Sequence, residues 1–208
     1  MIIKVCGMRD ADNIRAVEAL GIDWIGFIFW PDSSRYVAEC PAYLPTKAKR
    51  VGVFVDAPID EVRAKVDEYA LDIVQLHGHE HPDYVSMLRA DGGFPAVMKA
   101  LSIATPADMV AYQQYEGLVD YFLFDTKCLT VGGSGRHFDW NLLAAYDGKT
   151  PFLLSGGLGP NDAPRLHNFL ASSNPAAAHC VGIDLNSRFE HSPGHKDITK
   201  LKAFIQSL

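Results

Sequence analysis

The sequence lacks a long hydrophobic run, a surplus of basic residues and a dense set of cysteines. Its longest strongly apolar run, Trp24 to Trp30, is far shorter than the roughly 20 residues that a membrane-spanning helix needs. The start of the chain also lacks the apolar stretch of about 7 to 15 residues that is typical of a signal peptide. We therefore expect a cytoplasmic protein that does not associate with membranes.

Basic residues are outnumbered by acidic ones, 19 against 25, so the formal net charge is −6 over 208 residues. A nucleic-acid-binding surface needs clustered lysine and arginine to neutralise phosphates. The charge balance therefore disfavours a nucleic-acid partner.

The four cysteines, Cys6, Cys40, Cys128 and Cys180, are widely spaced and form no C-x-x-C pair. This spacing predicts free thiols rather than disulfides. A chain of this length buries enough surface to fold without such cross-links, and no proline- or glycine-rich linker divides it. We expect a single domain over residues 1–208.

Short apolar runs alternate with longer amphipathic stretches along the whole chain. The segment Pro31 to Lys49 contains three prolines, and we expect only a short or broken helix there. The other predicted helices cover Ala11 to Leu20, Ile59 to Tyr69, Asp83 to Ala90, Ala107 to Tyr115, Trp140 to Ala145, Asp162 to Leu170 and Lys196 to Ile205. The predicted strands cover Ile2 to Val5, Trp24 to Ile28, Val51 to Val55, Ile73 to Leu76, Ala96 to Ala100, Tyr121 to Phe124, Phe152 to Leu154 and Cys180 to Asp184.

Eight such units of about 26 residues each are typical of an α/β protein with a parallel sheet. The pattern predicts a single-domain (β/α)8 barrel, that is, a TIM barrel of eight parallel strands. The alternative is an open, doubly wound sheet of six or seven strands.

Reactive side chains follow the predicted strands, where the active site of a barrel lies. Cys6 follows the first strand and Asp125 follows the sixth, so a thiol and a carboxyl group are expected to face each other across the barrel mouth. Burial and neighbouring charges there favour proton transfer by such a pair. The alternative is a buried, inert cysteine and an aspartate that caps a turn.

Glycine-rich segments at 132–135 and 155–159, with the turn Asn186-Ser187-Arg188, predict a phosphate site. Glycine lets backbone N–H groups approach an anion closely, although glycines also occur simply in tight turns.

The segment His77-Gly78-His79-Glu80-His81 has the residue types of a zinc site. Because Gly78 interrupts it at a strand end, we expect no metal there. His77 is expected to face the substrate, while the other two histidines are solvated.

Several segments, in order from residue 4 to residue 197, resemble the phosphoribosylanthranilate isomerase family of tryptophan biosynthesis. They are Lys4-Val5-Cys6-Gly7, Gly26-Phe27-Ile28-Phe29 with Ser34-Arg35, Gly52-Val53-Phe54-Val55, Gln75-Leu76-His77-Gly78, Phe124-Asp125-Thr126 with Gly132-Gly133-Ser134-Gly135 and Phe138-Asp139-Trp140, Leu154-Ser155-Gly156-Gly157-Leu158, and Pro193-Gly194-His195-Lys196-Asp197.

The resemblance implies an aldose–ketose isomerase that converts N-(5-phosphoribosyl)anthranilate to 1-(2-carboxyphenylamino)-1-deoxyribulose 5-phosphate by an Amadori rearrangement. It also implies that no metal or organic cofactor takes part and that the protein is a monomer or a homodimer. By this resemblance Cys6 is the general base and Asp125 the general acid. Cys6 would then need a lowered pKa, which Lys4 does not readily supply if it points the other way along the strand.

The same resemblance assigns the substrate-binding residues. Arg35 would bind the anthranilate carboxylate, and His77 and Asp184 would line the same mouth. The residues assigned to the phosphate are Gly133, Gly156, Gly157 and Ser187.

One departure from the family pattern matters. The family usually has Asp-x-Ser-Ser-Gly-x-Glu after the last strand, whereas this chain has Arg188 at the glycine position. Either the turn is rebuilt, or Arg188 contributes its charge to the phosphate, or it stays in solvent; we expect one of the first two. The alternative functions are another phosphate-binding barrel isomerase or synthase, and a barrel that binds phosphosugars without catalysis.

Overall fold

The eight predicted strands form a closed barrel in which all neighbouring strands are parallel. The structure, a computed structural model, describes residues 1–90, 92–126 and 139–208. Strand order around the barrel equals strand order along the chain, so the predicted (β/α)8 barrel is confirmed. The strands are β1 (Ile2–Val5), β2 (Trp24–Ile28), β3 (Lys49–Phe54), β4 (Ile73–Leu76), β5 (Ala96–Ile103), β6 (Tyr121–Thr126), β7 (Phe152–Leu154) and β8 (Cys180–Leu185).

Helical segments connect the strands, and side chains cap the first turn of several of them. Asp10 accepts a hydrogen bond from the backbone N–H of Asn13 at 2.8 Å, which satisfies a donor in the first turn. No helix in the described ranges is long and apolar enough to span a membrane. The α-helices are α1 (Ala11–Glu18), α2 (Ile59–Tyr69), α3 (Pro82–Arg89), α4 (Ala163–Leu170) and α5 (Ile198–Gln206), and the 3₁₀ helices are Pro106–Gln114, Trp140–Ala145, Pro175–His179 and Ser187–Phe189.

Apolar side chains form two layers. The larger layer packs the outer faces of the strands against the helices. The smaller layer consists of strand residues that fill the barrel interior, as the alternation of side chains along each strand requires. Its buried members are Trp24, Val51, Ile73, Met98, Ala100, Leu123 and Leu153.

The prediction of a short or broken helix in Pro31 to Lys49 is wrong, since this fully described segment contains turns and bends but no helix. Its three prolines disfavour a helix. Several of its backbone N–H groups instead donate to an acceptor outside the segment. One carboxylate oxygen of Glu18, in α1, accepts from the backbone N–H groups of Thr46, Lys47 and Ala48 at 2.8, 2.6 and 3.0 Å. Tyr43 donates its hydroxyl to the other oxygen.

The sequence did not predict the antiparallel hairpin that follows β8. It consists of β9 (Glu190–Ser192) and β10 (His195–Lys196), so the last helix begins at Ile198 rather than at Lys196. Arg9 joins this hairpin to the loop after β2, because its guanidinium donates to the carbonyls of Ser34 at 3.2 Å and Pro193 at 2.9 Å. The loops that follow β1, β2 and β8 are therefore held together.

Replacing Glu18 tests how the loop after β2 is anchored. Burial acts to raise the pKa of Glu18, but its hydrogen bonds outweigh burial and lower the pKa from 4.5. Glu18 therefore stabilises the fold at neutral pH, and this stabilisation is lost as the pH falls below 4.5 through the folded-state pKa. We expect Glu18→Gln to lower the free energy of unfolding by about 1–3 kcal/mol at pH 7 and by less near pH 3.

Chemical denaturation at both pH values measures this difference. The control is Glu68→Gln, which removes an exposed ion pair with Lys65 on α2 and should change stability by less than about 0.5 kcal/mol. A Glu18→Gln protein as stable as the control would contradict the anchoring role.

Candidate active site

The period of two along the strands places the predicted reactive residues at one end of the barrel interior. Asp125 follows the interior residue Leu123 by two positions on β6, and Gln75 and His77 continue from Ile73 on β4 in the same way. Cys6 follows Ile2 and Lys4 along β1. Since all strands are parallel, these side chains lie at the same, carboxyl-terminal end.

Cys6 is buried, with 3% of its surface exposed, directly after β1. Its thiol lies against the backbone of β2, because a Cβ atom added to Gly26 would be 2.8 Å from Cys6 Sγ. The backbone N–H of Cys6 donates to the carbonyl of Leu185 in β8 at 2.9 Å. Both neighbouring strands therefore fix the position of the thiol.

Lys4 and Asp184 form a buried ion pair on the same interior face as Cys6. Lys4 Nζ lies 2.8 Å from Asp184 Oδ1, and Lys4 is completely buried. The hydroxyl of Ser155 lies 3.5 Å from the other carboxylate oxygen. Because Lys4 and Cys6 are two residues apart along β1, Lys4 does not point away from the thiol, so the condition under which it could not act on Cys6 is not met.

Burial and the neighbouring cations have opposite effects on the pKa of Cys6. Burial raises the pKa of Cys6 and outweighs the attraction of Lys4 and Lys196, which lower it. Burial also acts to lower the pKa of Lys4, but Asp184 and Cys6 overcome this effect and raise it. The lowered pKa that the general-base role of Cys6 would need is therefore not found in the ligand-free chain, where burial favours the thiol form.

Asp125 and His77 form the opposite side of the site. His77 Nε2 lies 3.6 Å from Asp125 Oδ2, and both side chains are about one-quarter to one-third exposed. Gln75 Nε2 lies 2.8 Å from His77 Nδ1. This contact holds the ring of His77 so that Nε2 faces Asp125.

The loop after His77 is held by a second buried ion pair. Lys99 Nζ lies 2.9 Å from Glu80 Oε2, and Glu80 also accepts from the backbone N–H groups of Asp56 and Gly78. The side chains of His79 and His81 are 98% and 71% exposed, as predicted. In the described ranges, no three histidine, cysteine, aspartate or glutamate residues are grouped so that they could hold a metal ion.

Arg35 lies on the loop after β2 and pairs with Glu190 at the start of the hairpin. Arg35 Nε and Nη2 lie 2.9 and 2.7 Å from the two carboxylate oxygens of Glu190. The bare Cα of Gly7 makes room for this pair, because a Cβ there would be 2.6 Å from Arg35 Cδ. Sequence reasoning named Arg35 but missed Glu190, 155 residues away.

Lys196 is a second cation on the same carboxylate. Its Nζ lies 2.5 Å from Glu190 Oε1 and 2.8 Å from Asn186 Oδ1, and the residue is buried. Burial lowers the pKa of Lys196, and the carboxylate of Glu190 opposes that shift. Lys196 belongs to a segment that carries the family resemblance, and Glu190 ends the motif in which Arg188 replaces the family glycine, but the sequence alone gives no sign that they meet.

The predicted phosphate residues lie on the loops after β7 and β8. Gly156 and Gly157 have positive φ angles of 83° and 74°, which glycine adopts without strain. Ser187 and Arg188 are exposed in the 3₁₀ helix that follows β8. Gly133 lies outside the described residues.

Arg188 does not occupy a position that requires glycine. Only Asp56 and Ala70 among the described non-glycine residues have positive φ, so the turn after β8 accepts a side chain at 188 without strain of that kind. A Cβ added to Gly159 would be 3.7 Å from Cβ and Cγ of Arg188, so the arginine stem lies beside the loop after β7. The turn is thus built differently from one that needs glycine.

Together, these groups can move protons and hold anions. A buried thiol and a half-buried carboxyl group lie on β1 and β6, which β7 and β8 separate around the barrel. One general base and one general acid at opposite sides of a cavity can transfer protons at neighbouring atoms of one substrate. The cations and the glycine loops at the same end suit a ligand with several negative charges.

Comparison with known proteins identifies the family. Residues 3–207 match the family model described as N-(5'phosphoribosyl)anthranilate (PRA) isomerase. The chain is 50% identical to N-(5'-phosphoribosyl)anthranilate isomerase from Parabacteroides distasonis, covering 100% of this chain and 93% of the relative. It is 49% identical to the same enzyme from Phocaeicola vulgatus, covering 100% and 98%.

Solved structures agree with the sequence relatives. Phosphoribosyl anthranilate isomerase from Thermotoga maritima has a TM-score of 0.83 at 30% identity, covering 100% of this chain and 98% of that one. Another similar structure, at 28% identity and a TM-score of 0.79 with the same coverage, holds that isomerase in complex with reduced 1-(o-carboxyphenylamino)-1-deoxyribulose 5-phosphate. This chain therefore belongs to the N-(5'-phosphoribosyl)anthranilate isomerase family.

Proposed function

We propose that the protein converts N-(5-phosphoribosyl)anthranilate to 1-(2-carboxyphenylamino)-1-deoxyribulose 5-phosphate in tryptophan biosynthesis, with Cys6 as general base and Asp125 as general acid. The observation that carries the assignment of roles is the placement of a buried thiol and a carboxyl group at the same end of one barrel. Residues from β1 to β8 contribute to the site, so we assign the activity to one domain over residues 1–208.

The first proposed step opens the sugar ring. Asp125, in its protonated form, donates a proton to the ribose ring oxygen while the bond between that oxygen and C1′ breaks. The nitrogen lone pair forms a C=N bond, which gives a cationic Schiff base. Substrate that covers the partly exposed Asp125 would exclude water from this proton transfer.

The second proposed step moves a proton from carbon. Cys6, as a thiolate, removes the C2′ proton, and the electron pair forms the enolamine while the C=N bond becomes a single bond. Tautomerisation of the enolamine then yields the ketone. Both steps are proton transfers, so they need no oxidant, reductant or organic cofactor.

The thiolate needs cations nearby, because burial alone keeps Cys6 protonated. Lys4 and Lys196 already attract the thiolate form, and the cationic Schiff base would add a third positive charge. We propose that Cys6 loses its proton to solvent only when the substrate is bound and its ring has opened, and that Asp125 regains a proton from solvent after the ketone has formed. Cys6, which recovers a proton from C2′, is then a thiol again between turnovers.

The binding groups fit the two ends of the substrate. Arg35 is assigned to the anthranilate carboxylate, and His77 and Asp184 line the cavity between the ends. Gly156, Gly157, Ser187 and Arg188 are assigned to the phosphate on the loops after β7 and β8. The state of the protein in solution, monomer or homodimer, stays a prediction.

Replacing Cys6 tests the general base. We expect Cys6→Ala to lower kcat by about 10²-fold or more, the scale of a general base, while binding of the reduced product analogue changes little. Turnover is measured as the loss of fluorescence of freshly prepared substrate with a chelator present, corrected for spontaneous hydrolysis. The control is Cys40→Ala, which removes an exposed thiol and should keep the wild-type rate.

Replacing Asp125 tests the general acid. Asp125→Asn keeps the size of the side chain but removes the acidic proton, so kcat should fall by about 10²-fold or more with little change in the Kd of the same analogue. Asp83→Asn, at an exposed carboxylate on α3, is the matched control. If Asp125→Asn turned over substrate at the wild-type rate, the acid would have to be another group.

Replacing Arg188 tests the phosphate end. The guanidinium is exposed, so solvent and salt screen its attraction for the phosphate. We expect Arg188→Ala to raise the Kd of ribose 5-phosphate by about five- to tenfold at low salt and by less at high salt. Calorimetry at two salt concentrations measures this change. Arg15→Ala on α1 is the control. Equal affinity in Arg188→Ala and Arg15→Ala would place Arg188 in solvent.

A further inference from the structure

The carboxylate of Glu190 joins two cations at the barrel mouth. It accepts from Arg35 through Nε at 2.9 Å and Nη2 at 2.7 Å, and from Lys196 Nζ at 2.5 Å. The backbone N–H of Gly194 also donates to it at 3.2 Å, across the hairpin. The side chain is 5% exposed, so solvent competes little for these bonds.

Glu190 uses only one edge of the Arg35 guanidinium. The edge formed by Nε and Nη2 faces Glu190, and within the described part of the chain Nη1 has no hydrogen-bond partner. A guanidinium has five N–H donors in a plane, and its Nη1/Nη2 edge also matches the two oxygens of a carboxylate. Arg35 can therefore hold Glu190 and receive a second carboxylate at the same time.

Lys196 holds Glu190 from the other side. Its ammonium group is buried and is also bonded to Asn186 Oδ1, so it does not swing into solvent. Arg35, Lys196 and Glu190 together carry a net charge of +1, and this positive charge lies next to the free edge of Arg35. Without Glu190, Arg35 and Lys196 would repel each other, and Arg35, which is 20% exposed, would turn outward.

We infer that Glu190 is a positioning residue that fixes the plane of Arg35 and so makes the site selective for ligands with a carboxylate on the aromatic amine. The inference deepens the proposed function, since it rests on the assignment of Arg35 to the anthranilate carboxylate. Glu190 acts through Arg35 and does not touch the ligand. Lys196 and Gly194 keep Glu190 in place.

The test compares two stable ligands that differ in one group. The first probe is reduced 1-(o-carboxyphenylamino)-1-deoxyribulose 5-phosphate, and the second is the same compound without the ring carboxylate. Both Kd values are measured by calorimetry. The Kd of the second probe divided by the Kd of the first is the ratio that reports selectivity for the carboxylate independently of turnover. We expect Glu190→Gln to reduce this ratio by about tenfold, and to leave the Kd of the second probe within about twofold. Asp12→Asn, at an exposed ion pair on α1, should change neither Kd.

Arg35→Met separates the inference from the assignment on which it rests. We expect Arg35→Met to reduce the ratio at least as much as Glu190→Gln, and Glu190→Gln to have no further effect in the Arg35→Met protein. If Arg35→Met leaves the ratio unchanged, the assignment of Arg35 to the carboxylate fails. If Arg35→Met reduces the ratio but Glu190→Gln does not, only the positioning role fails.

Two further outcomes are decisive. A larger ratio in Glu190→Gln would mean that Glu190 competes with the ligand for Arg35, and it would overturn the inference.

Glu190→Asp keeps the charge but withdraws it by one methylene group, so it should reduce the ratio by an intermediate amount. This variant replaces Glu190→Gln in the test if Glu190→Gln does not fold. An Asp variant with the wild-type ratio would also contradict a role that depends on geometry.

Discussion

The pairing of β1 with β8 closes the barrel, and the position of every site residue depends on its register. Lys4 is opposite Asp184 in that register, and their side chains form an ion pair at 2.8 Å inside the barrel. Gly182 allows the close approach, because a Cβ there would lie 2.5 Å from the carbonyl oxygen of Ile2. A slip of one residue would turn Cys6 out of the interior and separate the two charges. Breaking a buried pair of this kind costs about 3–5 kcal/mol, so the register is strongly specified.

Buried lysine–carboxylate ion pairs lie at the carboxyl-terminal end of the barrel. Lys4 with Asp184, Lys99 with Glu80, and Lys196 with Glu190 are each nearly free of solvent, and the paired residues are 180, 19 and 6 positions apart in the chain. Each carboxylate except that of Asp184 also accepts from backbone N–H groups of a loop. The charges therefore hold the loops in place as well as shaping the field around the thiol. A site that, as proposed, stabilises both a thiolate and a carboxylic acid benefits from charges that do not move.

Local pattern carried the predictions that succeeded, and long-range contacts explain those that did not. The apolar runs predicted all eight barrel strands, four of them with unchanged bounds, because strands buried on both faces have a strong local signal. Cys6 and Asp125 were placed at the carboxyl-terminal end of the barrel because they end such strands. The sequence analysis left the direction of Lys4 open, although its spacing of two from Cys6 determines it. Glu190 carries no local sign of its contact with Arg35, since the two residues are 155 positions apart.

The loop after β2 carries Arg35 but has no helix of its own, and Glu18 holds it through the backbone N–H groups of Thr46, Lys47 and Ala48. Every amino acid except proline supplies such a donor. The exposed side chains of Thr46 and Lys47 are therefore free to change over evolutionary time without releasing the loop, whereas Ala48 is also packed in the core. Only a proline at one of these positions, or a change at Glu18 itself, removes an anchor. The chain thus keeps Arg35 in place while tolerating sequence change in the segment that presents it.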